Sequence, residues 1–260
     1  DGIRYRQIMT CTSKDYRRWT KQQLLDYGDA PLEHLYTNAV NPYYRAPHIY
    51  VGFPKRFVPE RSMVGCTAGG MSDGLFMTSR DGLHFKRWEE AFVRPGLQRS
   101  RWENRNNMTA LGILETENDL PTAPKELSIF SSEGFYSDGG AQLRRYTLRL
   151  DGFVAANAPR KGGELVTRPF TFDGEALNLN VSTSVAGSAR VDVRRTGVDE
   201  AAQRRLRLGG VDARLLRRAP GPGHGARGLG GLALAAGSAA RGLALALGST
   251  LVTLGAVSGR

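Results

Sequence analysis

The stretch SDGLFMTSRDGLHFKRW, residues 72–88, decides how this chain reads. It runs through apolar and β-branched residues from Gly74 to Ser79, turns at Arg80-Asp81-Gly82, and returns to aromatic residues at Phe85 and Trp88. Runs of this kind separated by Asp and Gly are strands joined by a tight turn. In such a turn Asp81 accepts backbone N–H groups and Gly82 supplies a left-handed conformation, while Phe85 or Trp88 packs back under the sheet. The same order of Thr-Ser, a basic residue, Asp and a later aromatic stands 66 residues earlier in TSKDYRRW, residues 12–19. SSEGF at 131–135 is a weaker echo.

Working outward, HIYVGF (48–53), GLFMTS (74–79), ELSIFSS (126–132), RRYTLRL (144–150) and ALNLNVSTS (176–184) read as further strands, and a short helix is expected around Lys21 to Tyr27. A period of 50 to 65 residues with about four short strands each is the pattern of propeller blades. Residues 1–30 then supply the end of one blade, 36–95 a full blade and 101–157 another, about two and a half in all. The fold class expected is all-β, a partial β-propeller over 1–157. The start, DGIRYRQIM, has neither an initiator Met nor the apolar core of a signal peptide, which fits the middle of a longer chain.

Residues 158–193 alternate apolar and polar side chains as the opening strands of an antiparallel β-sandwich do. Residues 194–260 differ from everything before them. They contain no Phe, Tyr, Trp, Lys, Asn, Ile, Met or Cys, and use only twelve residue types. Three readings of this low-complexity tail stand side by side: an out-of-frame C-terminus, a disordered basic arm, or a weak membrane anchor at 242–257 that falls short of the roughly twenty apolar residues a span needs. If folded, its Ala and Leu favour a weakly attached helix.

The charge divides at the same place. Eleven Arg against Asp199, Glu200 and Asp212 put +8 of the net +11 on the tail, so the aromatic-bearing part is nearly neutral. Nucleic-acid binding is therefore expected only if the tail is genuine, and no membrane partner is expected. Cys11 and Cys66 form neither a metal cluster nor a disulfide framework, and two buried thiols are favoured over one bridge. The histidines at 34, 48, 84 and 224 make no zinc motif, and no cofactor fingerprint occurs.

The Ser-x-Asp-Gly turn resembles the Asp-box of sialidases and related propeller glycosidases, a structural element there, so Ser13, Asp15, Ser79, Asp81 and Gly82 are assigned to turns. NPYYRAPHIYVGFPKRF (41–57), SDGLFMTSRDGLHFKRWEEAFVRPG (72–96) and RRYTLRLDGFVAA (144–156) are similar to bacterial proteins related to five-bladed β-propeller glycoside hydrolases, in the neighbourhood of families 32 and 43 and the sialidases. The resemblance covers residues 1–193. It implies a funnel lined by inner strands that takes a carbohydrate without a cofactor, and a secreted or periplasmic setting.

Inner-strand positions then fall near Tyr43, Tyr44, Arg45 and His48, and near Trp102, Arg105 and Asn106. Arg45 and Arg105 take equivalent places in successive blades, each suited to sugar hydroxyls or a carboxylate and equally to tying blades together. Tyr43, Tyr44 and Trp102 offer stacking platforms or core packing. Glu133, among Phe130, Phe135 and Tyr136, is the candidate general acid, against a solvated loop role. Such sites use two carboxylates, or a Tyr nucleophile with an arginine cluster, and neither set is complete here. The functional expectation is a glycoside hydrolase-like protein, inactive or weakly active as this chain, with non-catalytic glycan binding or a scaffold role as the alternative.

Overall fold

The computed structural model describes residues 4–65, 69–159, 161–167, 176–177, 180–183, 188–195, 204–208, 232–233, 241–247 and 250–253. Among these the fold is essentially all β, in antiparallel sheets that do not close, with a single 3-10 turn at Arg99–Arg101 and no α-helix. The chain divides into two units, Asp1–Leu148 and Arg149–Arg260, earlier than the expected boundary at 157.

The first unit begins with a ribbon of β1 (Met9–Thr10) and β2 (Gln23–Leu24). The helix expected at Lys21 to Tyr27 is replaced by this pairing. Gln and Leu tolerate a helix, but Leu25 donates its N–H to the Ile8 carbonyl at 3.0 Å and is itself buried, and that burial outweighs a weak propensity.

The next seven strands are β3 (His34–Tyr36), β4 (Asn41–Tyr43), β5 (Ala46–Gly52), β6 (Lys55–Val58), β7 (Met71–Gly74), β8 (Met77–Ser79) and β9 (Phe85–Arg87). They form two sheets, β3-β6-β7 and β4-β5-β8-β9, but the register makes them one meander. Tyr50↔Ser79 through Gly52↔Met77 and Lys55↔Gly74 through Val58↔Met71 share a single register. Leu75 N–H to the Pro54 carbonyl at 2.9 Å bridges the gap. Pro54 has no N–H to give, so the ladder is interrupted there without being shifted. Residues 34–43, 46–58, 71–79 and 85–87 are thus four successive antiparallel strands, with Asp81 in the turn between the last two, as expected for 36–95.

The alternation of the third strand builds two apolar layers. Leu75 and Met77 join Ile8, Leu25, Leu35 and Phe85 in a core beneath the ribbon. Phe76 points the other way, stacking on Trp88 and Phe92 at centroid distances of 5.2 and 5.4 Å, with Phe53 at 5.5 Å. Each large side chain so buried contributes roughly 1.5–3 kcal/mol.

The two repeated turns share the bonds of their aspartates. Asp81 Oδ1 accepts the Leu83 and His84 N–H groups at 2.9 and 2.8 Å, and Asp15 Oδ1 those of Arg17 and Arg18 at the same distances. Ser79 Oγ and Ser13 Oγ each donate to that aspartate, at 3.0 and 3.2 Å. The flanking pairs, Ser79↔Phe85 and Ser13↔Trp19, also correspond.

Gly82 sits at φ +76° and its counterpart Tyr16 at +58°. A side chain there costs roughly 1–2 kcal/mol, glycine's greater unfolded freedom returns about 0.5–1 kcal/mol, and Tyr16 is 85% exposed. Tyr16 also meets Trp19 edge-on at a centroid distance of 6.0 Å, a contact of roughly 0.5–1.5 kcal/mol that offsets the strain, so Tyr16→Gly is expected to leave the urea midpoint and slope nearly unchanged.

The second turn also carries an ionic clasp, His84 Nδ1 to Asp81 Oδ2 at 2.7 Å. That hydrogen bond, then the backbone N–H groups, hold the Asp81 carboxyl well below its ordinary value, and the same bond raises His84. Asp81 contributes above about pH 4 and loses its contribution as pH falls toward its lowered value; His84 contributes below about pH 6.5 and loses its own as pH rises through its raised value. Urea midpoints across pH 4–8 should decline above pH 6.5 in the native chain, and this decline should be absent in His84→Gln.

The third sheet comprises β10 (Leu114–Thr116), β11 (Glu126–Glu133) and β12 (Gln142–Arg149). It has three described strands where four were expected, because β12 is followed by a turn at Asp151 and by residues of the second unit. Residues 107–110 extend its first strand, with Asn107 N–H to the Ser132 carbonyl at 2.7 Å and Ala110 N–H to Phe130 at 2.8 Å. The SSEGF echo runs from the last residues of β11 into the β11–β12 turn, between a second and a third strand, so it is not a third copy of the repeated turn.

In the second unit, β13 (Ala156–Asn157), β14 (Gly163–Val166), β15 (Ala176–Leu177), β16 (Asn180–Thr183) and β17 (Ala189–Arg195) are joined by β18 (Arg204–Leu208), β19 (Leu232–Ala233), β20 (Arg241–Leu247) and β21 (Thr250–Thr253). The sheet orders are β13-β21-β16, β14-β20-β17-β18 and β15-β19. The described parts of the tail are thus strands, not the expected helix: ladder bonds on both sides of β20 override the helix preference of Ala and Leu. The remainder of the tail lies outside the described residues.

Candidate functional site

Polar side chains gather where β6 begins, β7 ends and the loop 99–107 leads into the third sheet. Four cations anchor this region, and three are answered by acids. Arg56 stands directly opposite Asp73 across the β6–β7 ladder and grips it through two parallel bonds, Nε to Oδ1 at 2.9 Å and Nη2 to Oδ2 at 2.7 Å. Its Nη1 donates to Glu33 Oε1 at 3.0 Å. Arg87, 3% exposed, donates to the other oxygen of Glu33 and to the Pro31 carbonyl. Arg101 donates to Asn107 Oδ1 at 3.1 Å and to the Tyr146 hydroxyl, and its Nε lies 3.7 Å from Glu133 Oε2.

The fourth cation is Lys55, 4% exposed. Its ammonium donates to Asn104 Oδ1 at 3.0 Å and lies 4.4 Å from the centroid of the Tyr36 ring. Asn104 Oδ1 is a hub that also accepts Ser72 Oγ at 3.0 Å and the Arg105 N–H at 2.7 Å. Burial, and then the neighbouring charge of Arg105, pull Lys55 down to about 8. Arg105 is exposed, at φ +70°, with its guanidinium 5.2 Å from the Phe135 centroid and 5.9 Å from that of Tyr136.

The residues expected from sequence divide between this cluster and other places. Asn106 is wholly buried, and its Oδ1 accepts the Phe135 N–H at 2.9 Å, holding the turn after β11. Its Nδ2 is buried with no acceptor. Glu133 is 7% exposed and bound on both oxygens by Arg144, at 2.9 Å through Oε1 and more closely through Oε2. It is an ion-paired strand end, not a solvated loop residue. Trp102 Nε1 donates to the Gly96 carbonyl at 2.8 Å, anchoring its own loop.

Arg45 is not the counterpart of Arg105. The first strand of the meander starts at His34, so Arg45 falls in the β4–β5 turn, up to roughly 30 Å of extended chain from Lys55. It has partners of its own there. Tyr43 is 4% exposed and packs edge-on against Tyr44, a core residue at the same far end. His48 is exposed on β5, not packed inside. Glu89 and Glu90 are exposed. Cys11 is a half-buried free thiol, and Cys66 lies outside the described residues.

Lys55, Arg56, Ser72, Asp73, Arg101, Asn104 and Arg144 were not singled out from sequence. They come from three strands and a loop, and only the β6–β7 register, with Arg56 facing Asp73, could have flagged a pair of them. Among the described residues no group of three or more His, Cys, Asp or Glu is placed to hold a metal, and no helix is long and apolar enough to cross a membrane.

Comparison of the chain with protein-family models, with curated proteins and with solved structures finds no match in any of the three.

Proposed function

We propose that this is a carbohydrate-active protein of the glycoside hydrolase-like β-propeller kind, acting on its own as a glycan binder and not as an efficient hydrolase. In this reading the meander 34–87 is one blade, the sheet over 107–149 is most of the next, and the ribbon with the Ser13-Asp15 turn is the outer edge of the blade before. The observation that carries it is the cluster around Asn104: amide, hydroxyl and cationic donors beside Tyr36, Phe135 and Tyr136 at strand ends, the mixture of hydrogen-bonding groups and ring faces that suits sugars.

Hydrolysis needs an acid that can lend a proton and a second carboxylate across the bond. Glu133, Asp73 and Glu33 each have both carboxylate oxygens taken up by arginine, so none presents a free oxygen to a sugar. The test is a glycan array alongside hydrolysis of aryl glycosides and sialosides. Glycan binding with negligible turnover is expected; robust turnover that Glu133→Gln abolishes in a folded protein would replace this reading with the enzymatic one.

A further inference from the structure

The four cations of the cluster are not treated alike. Arg56, Arg87 and Arg101 each have a carboxylate within ion-pair distance. Lys55 has none, although it is as deeply buried as Arg87. No described carboxylate pairs with Arg105 either, and Arg105 stands beside Lys55: its backbone N–H, at 2.7 Å, and the Lys55 ammonium, at 3.0 Å, share the Asn104 Oδ1. A buried ammonium without a counter-ion is costly, and a second cation beside it adds to the cost. One residue further on, the Asn106 amide has a buried donor with no acceptor. The backbone takes left-handed conformations at Arg105 and Asn107, which side chains adopt under constraint and which cluster at ligand sites. Two cations without a described counter-ion, a spare N–H donor and local strain thus coincide within a few residues, with Glu103, whose Oε2 is buried, in the same loop.

We propose that Lys55 and Arg105 form an oxyanion subsite and that the glycan this protein takes is acidic, carrying a carboxylate or a sulfate ester. The inference rests on the carbohydrate reading above and specifies its substrate class. An anion arriving from solvent meets the exposed Arg105 first and is then drawn to Lys55, supplying the missing counter-charge. Arg105 offers a planar fork, and Lys55 a point charge in a desolvated setting, where a charge-assisted bond is strongest.

The experiment titrates the full chain with glucose, glucuronate, glucose 6-sulfate and inorganic sulfate, following binding by calorimetry in native protein, Lys55→Met and Arg105→Gln. The native protein should bind the acidic sugars at least tenfold more tightly than glucose, with affinity falling as salt rises. Glucuronate above the sulfate ester would identify a carboxylate site, and the reverse order a sulfate site. Lys55→Met should bring the acidic-to-neutral ratio close to one while melting no lower than the native chain, because it removes a buried unpaired charge. Arg105→Gln should lower the same ratio. Equal binding of acidic and neutral sugars, or undiminished acidic preference in both variants, overturns the subsite while leaving the glycan reading standing. Lys55-dependent binding of sulfate without binding of any sugar keeps the subsite and removes the glycan reading. Absence of any binding overturns both.

Discussion

Glu133→Gln is expected to lower the unfolding free energy by about 3 kcal/mol, because breaking a buried ion pair leaves a charge without its partner. Arg101 is the charge left behind: it is 8% exposed, and its remaining bonds go to neutral groups, Asn107 and Tyr146. Arg144, which is partly exposed, can turn to water. Urea unfolding of Glu133→Gln, Arg101→Met and the double variant should show strong non-additivity, the double losing much less than the sum of the singles. A general acid would behave otherwise. Its amide variant would keep its stability and lose turnover by about a hundredfold or more. The same variant therefore separates a carboxylate that holds the third sheet to its preceding loop from one that performs chemistry.

Asp73→Ala should cost more, about 3–5 kcal/mol. Asp73 is 3% exposed and receives both parallel bonds of Arg56. Without it, Arg56 falls back on Glu33, which Arg87 already engages on its other oxygen, so two nearly buried guanidinium groups would share one carboxylate. Asp73→Asn keeps an acceptor but not the charge and should fall between the alanine variant and the native chain. Denaturant midpoints for the series, with Asp73→Ala/Arg56→Met as the compensating pair, measure this directly. If Asp73→Ala unfolds with native stability, the ion pair is not what secures β6 to β7.

The strands were legible where composition and punctuation agreed. Gly74 to Ser79, Glu126 to Ser132 and Arg144 to Leu150 carry β-branched or aromatic residues bounded by turn formers, and each lies in or along a strand. The repeated Ser-x-Asp turn was legible because its bonds are local, formed within four residues. The first strand, His34–Tyr36, was missed because three residues show no period, and its identity rests on pairing with Lys55–Phe57. That miss displaced Arg45, since an inner strand placed near Tyr43 to His48 takes in Arg45, which lies in a turn. The candidate site was half visible. Arg105, Asn106 and Glu133 were singled out, but what each does depends on Lys55, Ser72, Arg101 and Arg144, whose proximity is a property of sheet packing and not of spacing along the chain.

The charges of the meander form a chain of their own. Glu33, just before the first strand, reaches Arg56 on the second and Arg87 on the fourth, and Arg56 in turn holds Asp73 on the third. Three strands and the residue leading into the first therefore contribute one link each. An outer strand of a sheet ordinarily frays at little cost, because it gives up bonds on one side only and water replaces them. Here β9 cannot peel away without stripping Arg87 from Glu33, and residues 31–33 cannot lift off without disturbing two arginines at once. Local opening at either edge is thereby tied to the centre of the sheet, and the four strands yield as one cooperative unit.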